Sequence, residues 1–413
     1  MIKKYRFQTN QSLILIKFIM VVTSLSSCNY EVFEDSNYKE VANIYHTKDI
    51  KLEDQKFSIN LPKEYSSNYA LTSLCIKETV DSTLMGIYNE KNNTIDIFNI
   101  DAKKLTHQVN LSETLVSGYS VANKRKNSIN SICIESFDSI FLLAERGLYI
   151  VNNSGKSIFT INNLNVPKGG VENQIIYRNH GNFPIYFDLE SKNIYMNGFC
   201  NKYSTYSDKF YNEAIEYSYN LNSGETTQLP MKFSEIFKTG YFSVSIYPSR
   251  LVTDRGHIYT FEQDPNIYIY DKSKKEIMVK GGKSKFQTET IPYFSKTIKF
   301  SKDKEMAYLR TVPSYGKLLY NPYKNLFYRF FKQGQASKNK EGLYNTELDK
   351  YESLMIFDSD FNVLNEISLE RYKYFSNFSF VIKDGLLIPD KDFYDSLNNS
   401  NSLKFHLISI KTQ

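Results

Sequence analysis

Few side chains in this 413-residue chain combine the type and spacing that chemistry needs. The five histidines, His46, His107, His180, His257 and His406, are scattered. No pair has the HxH or HExxH spacing that brings two imidazoles to one metal. Asp358-Ser359-Asp360-Phe361-Asn362 imitates the start of an EF-hand loop, but Val363 stands where glycine is needed and Leu369 where the bidentate glutamate is needed. It falls between two strand-like runs and reads as a turn. GxSxG, P-loop and GxGxxG motifs are absent. Lys168-Gly169-Gly170, in VPKGGVEN, lacks the upstream glycine and the Ser/Thr of a phosphate cradle. Cys75, Cys133 and Cys200 show no CxxC or Cys/His spacing, and SLCIKE and SICIES read as core strands around small apolar thiols. The sequence thus points to no metal, no cofactor and no nucleophilic catalysis.

What remains is a set of Arg, Tyr and His: Arg178 and His180 in YRNHGNF, Tyr247 and Arg250 in YPSR, Arg310 in YLRTVPSYG, and Tyr328 and Arg329 in LFYRFF. If they converge, they would hold an anionic or planar group through forked hydrogen bonds and ring stacking. The competing reading, which the sequence favours, is that they bridge neighbouring structural units by pairing with Asp or backbone carbonyls. The choice depends on the elements that carry them.

Those elements repeat. Between Gly256 and Val279, GHIYTFEQDPNIYIYDKSKKEIMV holds three short strand-like runs broken at DPN and KSKK, with no room for a helix. Comparable units run from Asp81 to Leu111, from Asp138 to Ile161, from Lys192 through TQLPMKF, from Lys324 to Leu369 and from Asp384 to the end. Segments such as ALTSLCIKE, SINSICIES, NFPIYFDLE and YPSRLVTD supply a further strand ahead of most copies. The fifth copy carries a polar insertion, KQGQASKNKEGLYNTELDKYE, read as a loop. Four antiparallel strands recurring at intervals of roughly 40 to 65 residues predict an all-β, six-bladed β-propeller of four-stranded antiparallel blades. The last copy lacks an outer strand, while KDIKLEDQKFSINLP near the start forms an orphan strand pair. An N-terminal strand is therefore expected to complete the last blade and close the ring, which removes exposed sheet edges. The candidate residues would then sit in loops entering the inner strands, at one mouth of the central channel.

The first residues set the address. MIKKYRFQTNQSLILIKFIMVVTSLSSC has a basic start, a clean apolar run of about eight residues, and small residues before Cys28, whereas a membrane span needs roughly 20. Leu25-Ser26-Ser27-Cys28 resembles a bacterial lipobox, so residues 1–27 read as a signal peptide, 28–47 as a lipidated Cys and polar tether, and 48–413 as one propeller domain. Multiple acyl chains give stable anchoring. Asn29 after the Cys is not the Asp of inner-membrane retention, so an outer-membrane location is expected, on either its periplasmic or its surface face. Of the formal +6 charge, Lys3, Lys4, Arg6 and Lys17 lie in the signal peptide. The remainder is close to neutral, which speaks against a nucleic-acid partner. High Tyr and Phe content suits strands.

The runs YNPYKNLFYRF, DSIFLL, GHIYTFEQDPNIYIYD and DGLLIP with SLKFHLISI resemble an uncharacterised family of Bacteroidetes lipoproteins, the domain of unknown function numbered 4221. That family is similar to six-bladed, TolB-like propellers, and the resemblance covers most of the chain after Cys28. Family sequences often carry Asp where this one has Asn321, so a carboxylate role there is not implied. The resemblance implies the fold and the envelope location, and no activity. Asp81-Ser82-Thr83, Asp138-Ser139-Ile140 and Asp395-Ser396-Leu397 resemble short O-glycosylation triplets of Bacteroidetes secreted proteins. The expected function is a lipid-anchored binding or scaffold module for a protein or peptide at the cell envelope. The alternative is an envelope hydrolase or lyase with its site at the channel mouth; the lack of clustered His, Asp or Glu weighs against an enzyme.

Overall fold

The computed structural model describes residues 38–61, 69–111, 129–144, 147–162, 175–177, 182–200, 202–205, 207–242, 248–288, 290–295, 301–393 and 402–412. Cys28, Arg178, His180, Tyr247, Ser396 and the Lys168–Gly170 run lie outside the described residues.

The strands are β1 (Ile50–Asn60), β2 (Tyr69–Glu78), β3 (Thr83–Asn89), β4 (Thr94–Asn99) and β5 (Lys104–Asn110), then β6 (Ile129–Ser136), β7 (Ser139–Ala144), β8 (Gly147–Val151) and β9 (Ser157–Asn162). Next come β10 (Ile175–Tyr177), β11 (Tyr186–Asp188), β12 (Asn193–Cys200), β13 (Glu216–Asn220) and β14 (Thr226–Gln228). The second half holds β15 (Pro248–Thr253), β16 (Gly256–Phe261), β17 (Asp264–Asp271) and β18 (Glu276–Lys280), followed by β19 (Ser314–Asn321), β20 (Leu326–Lys332), β21 (Glu352–Phe357) and β22 (Val363–Ser368). Strands β23 (Phe380–Ile382), β24 (Gly385–Pro389) and β25 (Ser402–Thr412) end the chain.

Strands β6–β9, β15–β18 and β19–β22 are separate four-stranded antiparallel sheets, and β10–β14 form a five-stranded sheet in which β10 and β11 pair with successive stretches of β12. The rest make one curled sheet in the order β2-β3-β4-β5-β1-β25-β24-β23. Its two antiparallel halves meet through a single parallel pair, Asn60 with Lys104. Strand β1 runs antiparallel to β25 along its whole length, from Ile50 opposite Thr412 to Asn60 opposite Ser402. The chain therefore has a mainly-β, propeller-like fold of four-stranded antiparallel blades.

Residue type explains the layering. TLMGIYN (β3), GLYIV (β8), GHIYTF (β16) and GLLIP (β24) are buried at every position, as befits middle strands covered on both faces. The outer strands β5, β14 and β18 are largely exposed. Strands β2 and β6, β15 and β19, and β19 and β23 touch one another as the inner layer. Apolar clusters fill the spaces between successive sheets; Ile95, Ile97 and Val109 of one blade meet Ile132, Ile140 and Leu142 of the next. Hairpins close with a residue of positive φ just before the next strand: Asn93, Lys103, Lys192, Lys275 and Asn325. That is the left-handed position of a short hairpin loop, which Asn tolerates best among residues with a Cβ. Gly256 opens β16 at φ +119, where an added Cβ would lie 2.1 Å from the Tyr270 carbonyl oxygen, so only glycine fits.

Three local expectations change. The break in the repeat unit falls at Glu262 and Gln263, and Asp264-Pro265-Asn266 belongs to β17. Polar residues survive there because the Asp264 carboxylate accepts hydrogen bonds from the Asn266 amide (2.8 Å), the Tyr268 hydroxyl (2.7 Å) and Tyr38. The orphan strand pair is one continuous strand, β1. The expected tether is engaged from Tyr38 onwards. The Val41 amide donates to Asn266, Asn43 and Lys283 exchange two hydrogen bonds, and Tyr45 bridges Val363. Among the described residues no helix is long and apolar enough to cross a membrane.

Candidate functional site

Antiparallel pairing puts the start of each inner strand, the second hairpin turn of each blade and the loop into the next blade at one end of the fold. At that end a cavity of about 310 Å³ opens where the Glu262–Gln263 turn, the start of β19, the end of β20 and residues 376–378 meet. Helix Lys302–Thr311 and the 333–351 insertion flank it through Tyr308, Leu309, Glu347 and Lys350.

Lys317 is the distinctive side chain. The β19–β20 register shifts between Tyr315 and Leu318, and this irregularity sets Gly316 and Lys317 on the cavity lining. Gly316 packs closely, because an added Cβ would sit 3.2 Å from Cβ of Phe330. Among the described residues the Lys317 ammonium has no hydrogen-bond or ion-pair partner, and burial lowers its pKa to about 8. Gln263, 1% exposed, also lines the cavity, and its side-chain oxygen has no partner among the described residues.

The other lysines there are committed. Lys332 Nζ donates to Glu347 Oε1 (2.7 Å) and Asn377 Oδ1 (2.7 Å), with Glu352 Oε1 at 3.7 Å. Burial opposes its charge, but Glu347 and Glu352 outweigh that and hold its pKa above the ordinary lysine value. Lys332 in turn pulls the pKa of Glu347 down to about 2, whereas burial raises that of Glu352. Lys350 Nζ donates to the Leu309 and Val312 carbonyls (2.8 and 2.6 Å), capping the end of the helix, and burial lowers its pKa to about 8.

The structure places the predicted residues differently. Arg250, on β15, is buried and pairs with Glu216 and the Pro184 carbonyl, its guanidinium 4.7 Å from the Phe183 ring centre. Glu216 also meets His257 Nδ1 (2.9 Å) and accepts from Tyr259. Although burial opposes ionisation, Arg250 and His257 keep the Glu216 carboxyl below its usual pKa. Arg329, on β20 and fully buried, donates to the carbonyls of Phe261 (2.9 Å), Asp264 (2.9 Å) and Pro265 (2.7 Å) and covers the Tyr315 ring. Both arginines thus join adjacent blades. Tyr328 is buried in the core between β19–β22 and β24–β25, and burial raises its pKa to about 12. Arg310 lies on the helix, and its carbonyl accepts from Gln335 Nε2 (2.8 Å). None of these four reaches the cavity beside Lys317.

Asp358 to Asn362 is a turn, in which the Asp358 carboxylate accepts from the Asp360 and Asn362 amides (2.9 Å each). No group of metal-ligating side chains occurs among the described residues. Cys75 and Cys133 are free thiols whose pKa burial raises to about 12 and about 11. Ser82 lies in the link from β2 to β3 and Ser139 opens β7. A larger cleft, about 710 Å³, lies at the opposite end among Asp188, Asp254, Arg255, Asp271 and Asp360. Its carboxylates are largely taken up by their own turns, Asp188 by the Glu190 amide and Asp271 by the Ser273 and Lys274 amides.

Sequence reasoning missed Lys317 and Gln263. A usable signal was Gly316-Lys317 inside an otherwise apolar strand, since Gly in a strand marks a bulge. Gln263 was hidden by the misplaced turn.

With this geometry in hand, the chain proves similar to known proteins in fold and family. The profile of a domain of unknown function, DUF4221, matches residues 67–368, and the chain belongs to that family. The crystal structure of a DUF4221 member from Bacteroides vulgatus superposes with a TM-score of 0.71 at 18% identity, covering 89% of this chain and 100% of that one. A Bacteroides fragilis structure described as a "Putative exported protein" matches with a TM-score of 0.48 at 13% identity over 91% of this chain and 99% of that one. Virginiamycin B lyase from Staphylococcus aureus gives 0.36 at 11% identity over 87% and 99% of the two chains. Only the first of these scores bears on the fold. No curated protein matches the chain.

Proposed function

We propose that this DUF4221 chain is a six-bladed β-propeller, closed by β1 as the outer strand of its last blade, that is anchored to the outer membrane through lipid on Cys28 and binds a protein or peptide at its mouth. The proposed layout is a signal peptide over 1–27, a lipidated segment over 28–47 that packs on the propeller from Tyr38 onwards, and the propeller over 48–413. The observation that carries the binding role is the rim of the mouth. The insertion that supplies Glu347 and Lys350 to the cavity also exposes Leu343, Tyr344, Leu348 and Tyr351, at 63%, 68%, 45% and 54%, with Tyr372 nearby in sequence at 51%. Large apolar side chains gathered on one polar loop beside a cavity favour a polypeptide partner, since Tyr anchors dominate such contacts.

A second reading draws on Lys317. An unpaired amine of lowered pKa suits a general base or nucleophile, so an envelope lyase or hydrolase stays as the alternative. Photo-crosslinking amino acids placed at Tyr344 and Tyr351, with a control at Asp254 on the opposite end, test the binding role in cells. One polypeptide captured at both rim positions, and not at Asp254, supports it. Capture at neither rim position, or equally at all three, defeats it.

A further inference from the structure

We infer that the mouth cavity is a receptor for a peptide carboxylate, gripped by the Lys317 ammonium and the Gln263 amide. The inference deepens the binding function proposed above and rests on it. Three lysines line this cavity, and the protein has used two of them: Lys332 on Glu347 and Asn377, Lys350 on two helix-end carbonyls. Lys317 alone among them has no partner among the described residues, although it is half-buried in the cavity lining and desolvation there disfavours its charge. A partly desolvated charge without a partner is costly on its own, and a cavity that keeps one is suited to receive a counter-ion.

Gln263 makes the same point independently. It is 1% exposed, lines the same cavity, and its amide oxygen has no partner among the described residues. Amide oxygen and nitrogen are interchangeable by rotation, so Gln263 can turn an N–H toward an incoming anion. One ammonium and one amide N–H match the two oxygens of a carboxylate.

Charge and shape narrow the class. Of the three lysines only Lys317 is uncommitted, while Glu347 and Glu352 already offset Lys332, so the cavity matches one negative charge better than a dianion such as a phosphate monoester. Phe330, Phe378 and Leu309 give the cavity an apolar wall for the side chain next to the carboxylate. The volume of about 310 Å³ is at the small end of ligand sites, fit for one residue and its end group.

The test is calorimetric titration of the full propeller with N-acetyl-phenylalanine, N-acetyl-phenylalanine amide, and N-acetyl-glutamic acid α-amide. Lys317→Met and Gln263→Leu serve as variants whose melting temperatures verify folding. The inference expects one acid to bind one-to-one, its affinity falling at least tenfold in Lys317→Met and several-fold in Gln263→Leu, with the phenylalanine amide at least tenfold weaker than the acid. Preference for N-acetyl-phenylalanine assigns the carboxylate to a chain terminus; preference for the glutamyl probe assigns it to a side chain. Equal binding of acid and amide, or acid binding untouched by both substitutions, overturns it. If neither acid binds while the rim crosslinks persist, the carboxylate assignment fails and the binding role stands; if the crosslinks are missing too, both fail.

Discussion

Replacing Arg329 by Met should unfasten two blades. The guanidinium is fully buried and donates to the carbonyls of Phe261, Asp264 and Pro265, which belong to the neighbouring blade. Methionine keeps much of the volume but none of the donors, so these three carbonyls, and more weakly that of Gly316 at 3.4 Å, lose this donor inside the protein. Hydrogen bonds to a charged donor are worth about 1.5–3 kcal/mol each, and an orphaned buried acceptor costs about 1–3 kcal/mol. These terms overlap, so the net destabilisation is set at roughly 3–5 kcal/mol, the range for breaking a buried charged network. A domain of this size loses about 1–2 °C of Tm per kcal/mol, giving a drop of roughly 3–10 °C. Differential scanning fluorimetry at pH 7 measures it, with Arg310→Met as a control expected to stay within about 1 °C. Arg329→Lys should recover little, because a single ammonium cannot span the fork of three carbonyls. An Arg329→Met protein that melts within about 1 °C of the parent would refute the reasoning, because Arg329 would then not be fastening the blades.

Other substitutions follow from the same contacts. Gly256 and Gly342 both have positive φ, but Gly256→Ala also forces a Cβ against the Tyr270 carbonyl, so its Tm should fall far more than that of Gly342→Ala, where nothing lies within 4 Å. Lys317→Met should raise Tm at pH 7, since an unpaired, partly desolvated ammonium destabilises the fold. The folded pKa, about 8, lies below the ordinary lysine value, so that penalty is full below pH 8 and fades as pH rises towards 10.5. Glu262, Lys332, Glu347, Lys350 and Tyr308 share the cavity, and Lys350, also lowered to about 8, titrates in the same window, so the comparison is made between parent and variant at each pH, and a gap that does not shrink by pH 10 contradicts it. Glu347 has its pKa depressed to about 2 by Lys332, so its contribution is present above the unfolded value near 4.5 and is lost as pH falls through 2. Limited proteolysis by pepsin should therefore cut the 333–351 insertion faster as pH approaches 2, and Glu347→Gln should bring that sensitivity to higher pH.

The blades were readable because their strands announce themselves twice, by apolar runs and by turns with Asn or Lys at the left-handed position. GHIYTF and GLLIP even carry the opening glycine that the hairpin requires. What the sequence hid was side-chain destination. Arg250 and Arg329 were legible as residues that either bind a ligand or join blades. Yet the partners of Arg329 are backbone carbonyls 64 to 68 positions away, which carry no residue signature. DPN looked like a break because Pro and Asp favour turns, and the hydroxyls of Tyr38 and Tyr268 with the Asn266 amide make Asp264 acceptable inside a strand. No motif in the sequence marks Lys317, because it is the register shift in β19 that brings it into the cavity lining.

The claim that the mouth binds a polypeptide is tested most directly by isolating the full-length protein from its own membranes in mild detergent and weighing what accompanies it. The account predicts one stoichiometric protein or peptide, lost from a Tyr344→Ser, Tyr351→Ser double variant and retained by Asp254→Ser at the opposite end. A partner that survives the rim substitutions, or a protein that emerges alone, would contradict it.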